Sequence, residues 1–419
     1  MSVRIGYACL TLGVAGTELK NCTWKSATAE RLRADVASNL DTLGRMIAYN
    51  SKMGIRLFRI SSDLIPFGSR PDNPLPWQDE FKGKFERLGE EIRKAQLRVS
   101  MHPGQYTVLN SPDDGILNRT IDDLLYHDSI LNLLGADKSS KIVLHVGGVY
   151  GDKEAALGRF CRNWAGLNDS VKSRIVLEND ERSYNIAEVV ELAHKLCVPA
   201  IFDNLHHEVN SPLDGLSPLQ WIERCSETWK AGDGRQKIHY SQQSHTGKTG
   251  AHSSTVSLDA FLPFYESVHK KNIDIMLEVK DKNLSAIKCI TAVSGSPSMK
   301  LLEQEWEKYK YVVMEHSPSD YQSACQLLEE PNSFPVTDFY SLIDSSREKP
   351  IEIDKGINTA LQVWRHLEDW AYPQEKKSFL KALEGCQRGR ISLSAIKNRI
   401  FKLAQKYEVE YLLNSYYFI

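Results

Sequence analysis

The chain has 419 residues, of which 42% are hydrophobic and 25% charged, and this length suits one large folded domain plus a smaller one. The formal net charge of −2 gives no whole-protein signature of nucleic-acid binding, so any such affinity has to come from local patches. No apolar stretch approaches the roughly 20 residues that cross a bilayer, and the start MSVRIGYACL lacks the sequence of a signal peptide. We therefore expect a cytoplasmic protein with no membrane contact.

The eight cysteines are scattered, with no C-x-x-C pair among them. Several fall inside apolar helical runs, where free cysteine behaves as a small hydrophobe. The sequence therefore predicts neither a disulfide framework nor a zinc knuckle.

From Val3 to about Ser296 the chain repeats one unit eight times: a short β-branched strand, a loop holding His, Asp, Glu or Asn, and a helical stretch. This alternation predicts parallel strands joined by crossover helices. The predicted strands are residues 4–8, 56–61, 98–102, 141–146, 174–178, 200–203, 237–241 and 274–278. Eight strands are the number that closes a barrel, so we predict an α/β fold of the (β/α)8 TIM-barrel type over residues 1–298.

The segments between the strands have helical spacing and end signals. Apolar residues recur every three or four positions from Leu32 to Ile47, and Gly54 follows where a C-terminal cap belongs. Asn185 and Glu188 predict a capping box at the start of a later helix. We expect these helices to pack around the outside of the sheet.

After Ser296 the strand signals stop, and helical runs continue to the end, interrupted by a predicted loop around residues 331–350. We predict a small α-helical domain over residues 299–419. Residues 376–406 carry nine Lys or Arg against the single acid Glu384. A solvated helix face is the ordinary interpretation of such a run, and a local basic patch is the alternative.

Active sites of such barrels lie at the C-terminal ends of the strands, which we call the rim, so the residue that ends each strand is informative. Eight histidines and carboxylates stand at or just after these ends: His102, His145, Glu178, Asp203, His206, His239, His252 and Glu278. A single histidine at a strand end is usually a hydrogen-bonded core residue. Eight such groups on one partly buried rim are costly unless a cation compensates them, and a divalent metal does so directly.

This mixed set of imidazoles and carboxylates suits zinc, manganese or iron, and eight ligands exceed what one ion uses. We therefore predict two or three divalent ions that share at least one bridging carboxylate, Glu178 or Glu278. Such ions serve phosphate chemistry, because one generates hydroxide near neutral pH while others neutralise phosphate oxygens. Sugar isomerisation also uses paired metals in barrels, so the ligand set alone leaves both reactions open.

Longer motifs connect these ligands. They are GYACLTLG, RISSDLIPFGS, MHPGQYTVLNS, LHVGGVYGDKEAAL, LENDERSYN, FDNLHHEVN, KIHYSQQS and LEVKDKN. Over about 300 residues the chain resembles the ultraviolet damage endonucleases. The resemblance implies a hydrolase that repairs damaged double-stranded DNA at the bacterial nucleoid by cutting the phosphodiester bond 5′ to cyclobutane dimers, 6-4 photoproducts and abasic sites. It implies manganese as the usual metal, with zinc, magnesium or cobalt as the other candidates.

The resemblance also implies roles for individual residues. It makes all eight rim residues metal ligands, with Glu178, Lys237 and Glu278 as the catalytic group, and Lys237 matches a lysine that can carry a carboxyl modification. Gln105 and Tyr106 match probe residues that enter the duplex where damaged bases are turned out. Refilling the gap in this way is reasonable, because extrusion costs a few kcal/mol of stacking.

Three further positions in the barrel concern the lesion pocket and the phosphate contacts. Tyr7 matches a tyrosine of the family that lines the lesion pocket. Thr11 stands at a position that we associate with an asparagine in this pocket. Arg70 stands where the family often has histidine. Arginine does not bind metals, but it clamps phosphates through bidentate hydrogen bonds.

The C-terminal segment, with KYKYVVMEHSPSDYQSACQLL and the ending YLLNSYYF, resembles a helical domain of unknown function. Its basic patch is compatible with added DNA contacts, with docking of a protein partner or with support of the barrel. For the whole chain three alternatives stay open: a three-metal abasic-site endonuclease without the Gln105 and Tyr106 probe, a sugar isomerase, and a lesion-binding protein with reduced catalysis, suggested by Arg70.

Overall fold

The computed structural model of the protein describes residues 3–295, 298–329 and 334–419. The chain divides into two compact units. The first comprises Met1–Thr11, Gly16–Val256 and Pro263–Ile287, and the second comprises Leu12–Ala15, Ser257–Leu262 and Lys288–Ile419. The domain boundary predicted after residue 298 falls beside Ser296 and Pro297, which are outside the described residues, and it stays a prediction.

Eight parallel strands form the first unit's sheet, each within a predicted strand. They are β1 Ile5–Ala8, β2 Leu57–Ile60, β3 Arg98–Met101, β4 Ile142–His145, β5 Ile175–Glu178, β6 Ala200–Ile201, β7 Lys237–Tyr240 and β8 Asp274–Leu277. The strand order is β6-β5-β4-β3-β2-β1-β8-β7, and a parallel bridge between Asp203 and His239 joins the two edge strands. The predicted TIM barrel is confirmed, and two predicted ligands make its closing contact.

Apolar residues fill this barrel, because a parallel sheet covered by helices is buried on both faces. Val143, Val176 and Ile201 form one fully buried cluster on neighbouring strands. At Gly6 the strands β1 and β2 approach so closely that a Cβ would lie 2.0 Å from the carbonyl oxygen of Leu57. Glycine is therefore required at this position of the sheet.

The first eleven helices of the chain alternate with these strands. They are α1 Ala29–Lys52, α2 Trp77–Glu80, α3 Lys82–Lys94, α4 Asp114–Leu133, α5 Lys153–Ala165, α6 Asp169–Arg174, α7 Ile186–Leu196, α8 Asn204–Val209, α9 Pro218–Ser226, α10 Leu258–Val268 and α11 Asn283–Ala292. Gly54, with a φ of 71°, follows α1 as predicted. The predicted capping box of Asn185 and Glu188 is present at α7. Both end signals are confirmed.

The described residues of the second unit form seven further α-helices. They are α12 Met299–His316, α13 Pro318–Glu329, α14 Val336–Glu348, α15 Ile353–Trp364, α16 Pro373–Gln387, α17 Leu393–Lys406 and α18 Glu410–Leu413. They bury a core that mixes aliphatic and aromatic residues, in which the rings of Trp364 and Phe379 stack with centroids 4.0 Å apart. Within the described part of the chain, no helix is both long and apolar enough to span a bilayer.

The loop predicted around residues 331–350 is wrong over most of its length, because α14 occupies residues 336–348. Residues 331–333 lie outside the described part. The buried side chains of Phe339, Tyr340 and Ile343 have helical spacing. Pro335 and Pro350 flank the helix and mark its two ends rather than a continuous loop.

Candidate metal centre

The carboxylate of Glu178, at the end of β5, lies at the middle of the rim. Its Oε2 is 3.0 Å from Nε2 of His102 and 3.4 Å from Nε2 of His145, at the ends of the two preceding strands. Its Oε1 is 2.5 Å from Nδ1 of His239 on β7. One buried carboxylate therefore faces three of the five predicted histidine ligands.

Two groups of side chains suited to hold a metal ion share this carboxylate. The first is His102, His145 and Glu178, and the second is Glu178, Asp203 and His239. Within each group the ligand atoms lie within 4.8 Å of one another. Glu178 thus occupies the position that a bridging carboxylate would take between two ions.

Glu278, which follows β8, borders the second group. Its Oε1 lies 3.0 Å from Nδ1 of His239 and forms an ion pair with Arg59 of β2. Burial opposes ionisation of Glu278, but Arg59 and His239 hold the pKa of its carboxyl well below the usual range. The side chain is therefore an anion at neutral pH.

The remaining predicted ligands extend the site along the rim. Adjacent imidazole centroids are 5.1 to 6.4 Å apart along one row. That row runs in the order His239, His102, His145, His206 and His252. The structure thus brings all five predicted histidines together, although His206 and His252 lie outside the two compact groups.

Local chain structure fixes Asp203. It lies two residues after β6 and is the N-cap of α8. Its Oδ1 accepts a hydrogen bond from the backbone N–H of His206 at 2.8 Å. Its Oδ2 is buried and has no hydrogen-bond partner among the described residues. The capping contact therefore orients the carboxylate while one oxygen stays available.

Other buried polar atoms of the site also lack partners in the described part of the chain: Nδ1 of His145, Nζ of Lys237 and Nε2 of His239. Buried polar groups are normally hydrogen-bonded, and each exception costs about 1–3 kcal/mol. A concentration of unpaired nitrogen and oxygen atoms around one carboxylate is typical of a set of metal ligands. The residues present fit a divalent-metal site.

The charge states in the first group, His102, His145 and Glu178, also fit a bound cation. Burial lowers the pKa of His102 to about 4, so its imidazole is neutral at pH 7. Its Nδ1 lies 2.9 Å from the carbonyl oxygen of Pro103 and donates there in the neutral tautomer. The lone pair of Nε2 then faces the oxygen of Glu178, and a cation between them removes the repulsion.

Burial, together with the cations Arg98 and Arg59, lowers the pKa of Lys237 to about 7. The Lys237 side chain is 1% exposed, and its charged neighbours include the carboxylates of Glu178 and Glu278. A substantial fraction of this amine is therefore uncharged at neutral pH, unlike that of a surface lysine.

The loop after β3 carries the predicted probe. Tyr106 is 81% exposed and Gln105 is also exposed, at the tip of a turn in which the N–H of Thr107 donates to the carbonyl of Gly104. The hydroxyl of the buried Thr107 donates to Asp123 of α4 at 2.6 Å. The tip is thus exposed while its base is anchored.

An open cleft of about 690 Å³ connects this loop to the candidate ligands. Gln105 and Tyr106 line one part of it, and His102, His145 and His206 line another. A group held at the tip of the loop and a group near the histidines therefore lie in one cleft.

Tyr7 and Arg70 are already engaged with neighbouring residues. Tyr7 is fully buried, and its hydroxyl lies 2.6 Å from Oγ1 of Thr11 and 2.9 Å from Oδ1 of Asn50. Arg70 forms two hydrogen bonds with Asp72, and its guanidinium lies 3.9 Å from the ring centroid of Trp24. Their roles in substrate binding stay predictions.

Two residues of the site were missed in the sequence. Arg59 stands inside a strand otherwise composed of apolar residues, and that isolated charge was the available signal. Asn179 directly follows Glu178; its side chain accepts the N–H of Asp203 at 2.9 Å and donates to the carbonyl of Asp203 at 3.2 Å. Its own carbonyl accepts from Nδ1 of His206. Asn179 therefore orients two predicted ligands.

Comparison with known proteins matches the chain to two family models. Residues 3–306 match the model "UV-endonuclease UvdE", and residues 310–419 match "Protein of unknown function (DUF1722)". The UV DNA damage endonuclease of Clostridium perfringens is 39% identical over 357 residues, which cover 84% of this chain and 85% of that protein. The enzyme of the same name from Bacillus cereus strain B4264 is 32% identical over 281 residues, covering 66% and 87% of the two chains.

Among solved structures, the crystal structure of SacUVDE aligns with a TM-score of 0.66 and 34% sequence identity. The alignment covers 70% of this chain and 98% of SacUVDE. The chain is thus similar to SacUVDE in both sequence and fold, and the similarity spans nearly the whole of SacUVDE.

Proposed function

The chain belongs to the UV-endonuclease family UvdE, and from that membership we propose that it is a metal-dependent repair endonuclease that cuts damaged double-stranded DNA. The proposed reaction is hydrolysis of the phosphodiester bond on the 5′ side of a cyclobutane dimer, a 6-4 photoproduct or an abasic site, leaving 3′-hydroxyl and 5′-phosphate ends. The single observation that carries the proposal is Glu178, whose two oxygens face His102, His145 and His239 in one buried cluster.

The two groups around Glu178 would hold at least two divalent ions, and manganese is the proposed metal. Asp203 belongs to the second group, and Glu278, His206 and His252 lie beside the two groups. When bound, such ions supply Lewis acidity, which lowers the pKa of water and neutralises charge on phosphate oxygens.

The protein's own residues prepare this site in definite ways. The imidazoles of His239 and His145 overcome the burial of Glu178 and hold the pKa of its carboxyl well below the usual range. Arg59 does the same for Glu278, and Asn179 fixes the backbone of Asp203. The carboxylates of Glu178 and Glu278 are therefore ionised, and Asp203 is oriented, before substrate arrives, which is the preorganisation that charge stabilisation in a transition state requires.

Lys237 is proposed to act beside these carboxylates. Its unpaired, buried Nζ and its pKa of about 7 support an uncharged amine that is able to form a carbamate with carbon dioxide, releasing a proton. That product would convert the amine into an anionic oxygen ligand.

For substrate recognition we propose that Gln105 and Tyr106 enter the duplex at the lesion. The exposed ring of Tyr106 is able to stack against a base, and the anchored base of the loop limits the entropy lost on binding. A lesion that has already weakened base stacking lowers the cost of opening the helix. Damage recognition would thus follow from the ease of distortion rather than from base sequence.

The test is incubation of the purified chain and manganese with irradiated and unirradiated supercoiled plasmid. Conversion of only the irradiated plasmid to nicked circles is expected, with loss of nicking in EDTA. End-labelled duplexes with one dimer or one abasic site would locate the cut and identify its ends. Cutting of the abasic duplex alone indicates a plain abasic-site endonuclease, and binding without nicking indicates a lesion-binding protein.

A further inference from the structure

The charges of the C-terminal segment are strongly segregated along the chain. Residues 301–375 carry 15 acids and six bases, whereas residues 376–406 carry nine bases and the single acid Glu384. The structure places these nine cations on α16, on α17 and in the turn that joins them. One helical hairpin of the second unit therefore carries a large excess of positive charge.

Two of the nine cations are neutralised by acids of the same unit. Lys397 pairs with the buried Glu315, and Lys406 pairs with Glu375. The other seven form no ion pair within the part of the chain that the structure describes. They are Lys376, Lys377, Lys381, Arg388, Arg390, Arg399 and Lys402. The unit thus contains carboxylates that pair with two of the nine cations, and the other seven cations have no carboxylate partner among the described residues.

Four of the unpaired cations surround one concave pocket of about 430 Å³ between α16 and α17. We call this pocket the basic groove, and its polar lining residues are Ser378, Lys381, Glu384, Arg388, Arg390 and Arg399. Nη1 of Arg399 lies 3.3 Å from Oγ of Ser378, so a guanidinium on α17 reaches a side chain of α16. Cations of both helices therefore face one concavity.

The turn at the end of the groove is held by its glycines. A Cβ at Gly385 would lie 2.8 Å from the side chain of Ile391, so glycine lets the chain return closely along α16. Gly389 has a φ of 68°, a conformation that favours glycine, and it separates Arg388 from Arg390. The two arginines are thus presented by a tight turn rather than by a long loop.

The ordinary explanation, a solvated helix face, covers only part of this arrangement. Arg388 and Arg390 follow the C-terminus of α16, where cations interact favourably with the helix dipole. Lys381 and Arg399 lie in the middle of their helices, so the dipole does not explain them. Four cations and the single carboxylate of Glu384 line this pocket, so it keeps an excess of positive charge that a bound anion would compensate.

We propose that the basic groove binds the phosphate backbone of duplex DNA. This inference rests on the proposed function, because DNA is the substrate proposed for the barrel. Arginine forks match phosphate oxygens in bidentate geometry, and backbone contacts of this kind supply affinity without sequence information. Lys376, Lys377 and Lys402 add three at least partly exposed cations on the same two helices outside the pocket lining, which suits an extended polyanion better than one small anion.

The test measures binding of the full chain to a labelled, undamaged duplex by fluorescence anisotropy over a series of salt concentrations. One variant combines Arg388→Gln, Arg390→Gln and Arg399→Gln. The matched control combines Lys300→Gln, Arg347→Gln and Arg365→Gln, which removes the same charge from the same unit outside the groove. Thermal melts establish that both variants are folded.

For the groove variant, the slope of log affinity against log salt should fall by about 2 to 3, because each lost phosphate contact removes about one unit. Affinity at moderate salt should fall by about tenfold or more, and the control should change less than about twofold. Equal losses in the two variants, or no loss in either, would overturn the proposal. It would also be overturned if inorganic phosphate raised the melting temperature of the wild type alone while both proteins bound duplex equally.

A nicking assay separates this inference from the proposed function. At low salt and saturating enzyme, the groove variant should nick lesion-containing duplex at the wild-type rate. If the wild type nicks no lesion but its duplex affinity still depends on the groove, the proposed function fails and the basic groove stands. If the wild type nicks lesions but the groove variant keeps the wild-type salt slope, the proposed function stands and the basic-groove proposal fails.

Discussion

The two ends of the barrel both bury charged side chains, but they treat them differently. At the N-terminal ends of the strands, two buried carboxylates each face a guanidinium. Asp274 is fully buried and lies 2.9 Å from Arg98, while Asp128 lies 3.0 Å from Arg174. Oδ1 of Asp274 has no hydrogen-bond partner among the described residues, but it lies 3.7 Å from Nη1 of Arg235, so charges of opposite sign are matched there within the protein itself.

At the C-terminal ends, the matching is incomplete. Glu178 and Glu278 are ionised by neighbouring cations and imidazoles, yet atoms of His145, Asp203 and His239 are buried without partners. Charged side chains are buried at both ends, so burial of charge by itself does not identify a functional site. At the C-terminal ends, unpartnered atoms of three side chains gather around the carboxylate of Glu178, and they lie where active sites of this fold are built.

The largest effect is expected from Glu178→Gln, because it removes the charge that both ligand groups share while keeping the side chain's size. Nicking of irradiated plasmid should fall by about a thousandfold or more. The melting temperature of the wild type should rise with manganese, because an ion that binds only the folded state stabilises it. The variant should lose most of that rise.

Glu154→Gln, on the exposed start of α5, is the matched control and should change nicking less than about twofold. Retention of both nicking and the manganese response in Glu178→Gln would remove Glu178 from the centre of the site. The unmatched atoms at the C-terminal end would then need another explanation.

Asp274→Asn tests the other end of the barrel and should mainly affect stability. It leaves the buried guanidinium of Arg98 without its anion, which typically costs about 3–5 kcal/mol. Urea denaturation should show a lower midpoint, while nicking per folded molecule at low temperature stays near the wild-type value. Glu80→Gln, in the exposed pair with Arg33, should leave the urea midpoint nearly unchanged.

A specific loss of nicking in Asp274→Asn, without loss of stability, would contradict this division between the ends. The two ends of the barrel would then be coupled through its core. Measuring both quantities on the same preparation distinguishes the two outcomes.

The sequence predicted the strands and the grouping of the ligands because both depend on local patterns. Each strand ends within about two residues of its predicted end, and a residue at the end of a parallel strand must lie at the rim. The contacts that join distant strands were not predictable in this way. Arg59 reaches Glu278 across 219 positions, and nothing near Arg59 in the chain indicates that partner.

Burial of individual side chains was also beyond the sequence. Tyr7 has the residue type of a pocket tyrosine, but only the fold shows that its hydroxyl is held by Thr11 and Asn50. In the same way, Pro335 and Pro350 looked like loop residues until the buried face of α14 placed a helix between them. Tertiary packing decided both cases.

Tyr106→Ala concerns the exposed part of the C-terminal end and should have an intermediate effect. Stacking of one base on an aromatic ring is worth about 1–3 kcal/mol, so kcat/KM on a dimer-containing duplex should fall roughly five- to 150-fold. The manganese response should not change, since Tyr106 is absent from both ligand groups. Tyr106→Phe keeps the ring and should retain most of the activity, and an equal loss in the two variants would exclude stacking as the role of Tyr106.

The smallest effect is expected at Arg70, an exposed charge on the first unit that is matched as completely as those of the N-terminal end. Asp72 occupies its guanidinium through hydrogen bonds of 2.9 and 2.8 Å, in the same forked geometry that would bind a phosphate. Asp72→Asn weakens this competitor and should raise affinity for lesion duplex about two- to fivefold at low salt, whereas Arg70→Gln should lower it by a similar factor.

The double variant decides the mechanism, because a gain that acts through Arg70 disappears when Arg70 is absent. A gain that persists in the double variant would show that Asp72 acts only by repelling DNA, and Arg70 would then have no part in the phosphate contact.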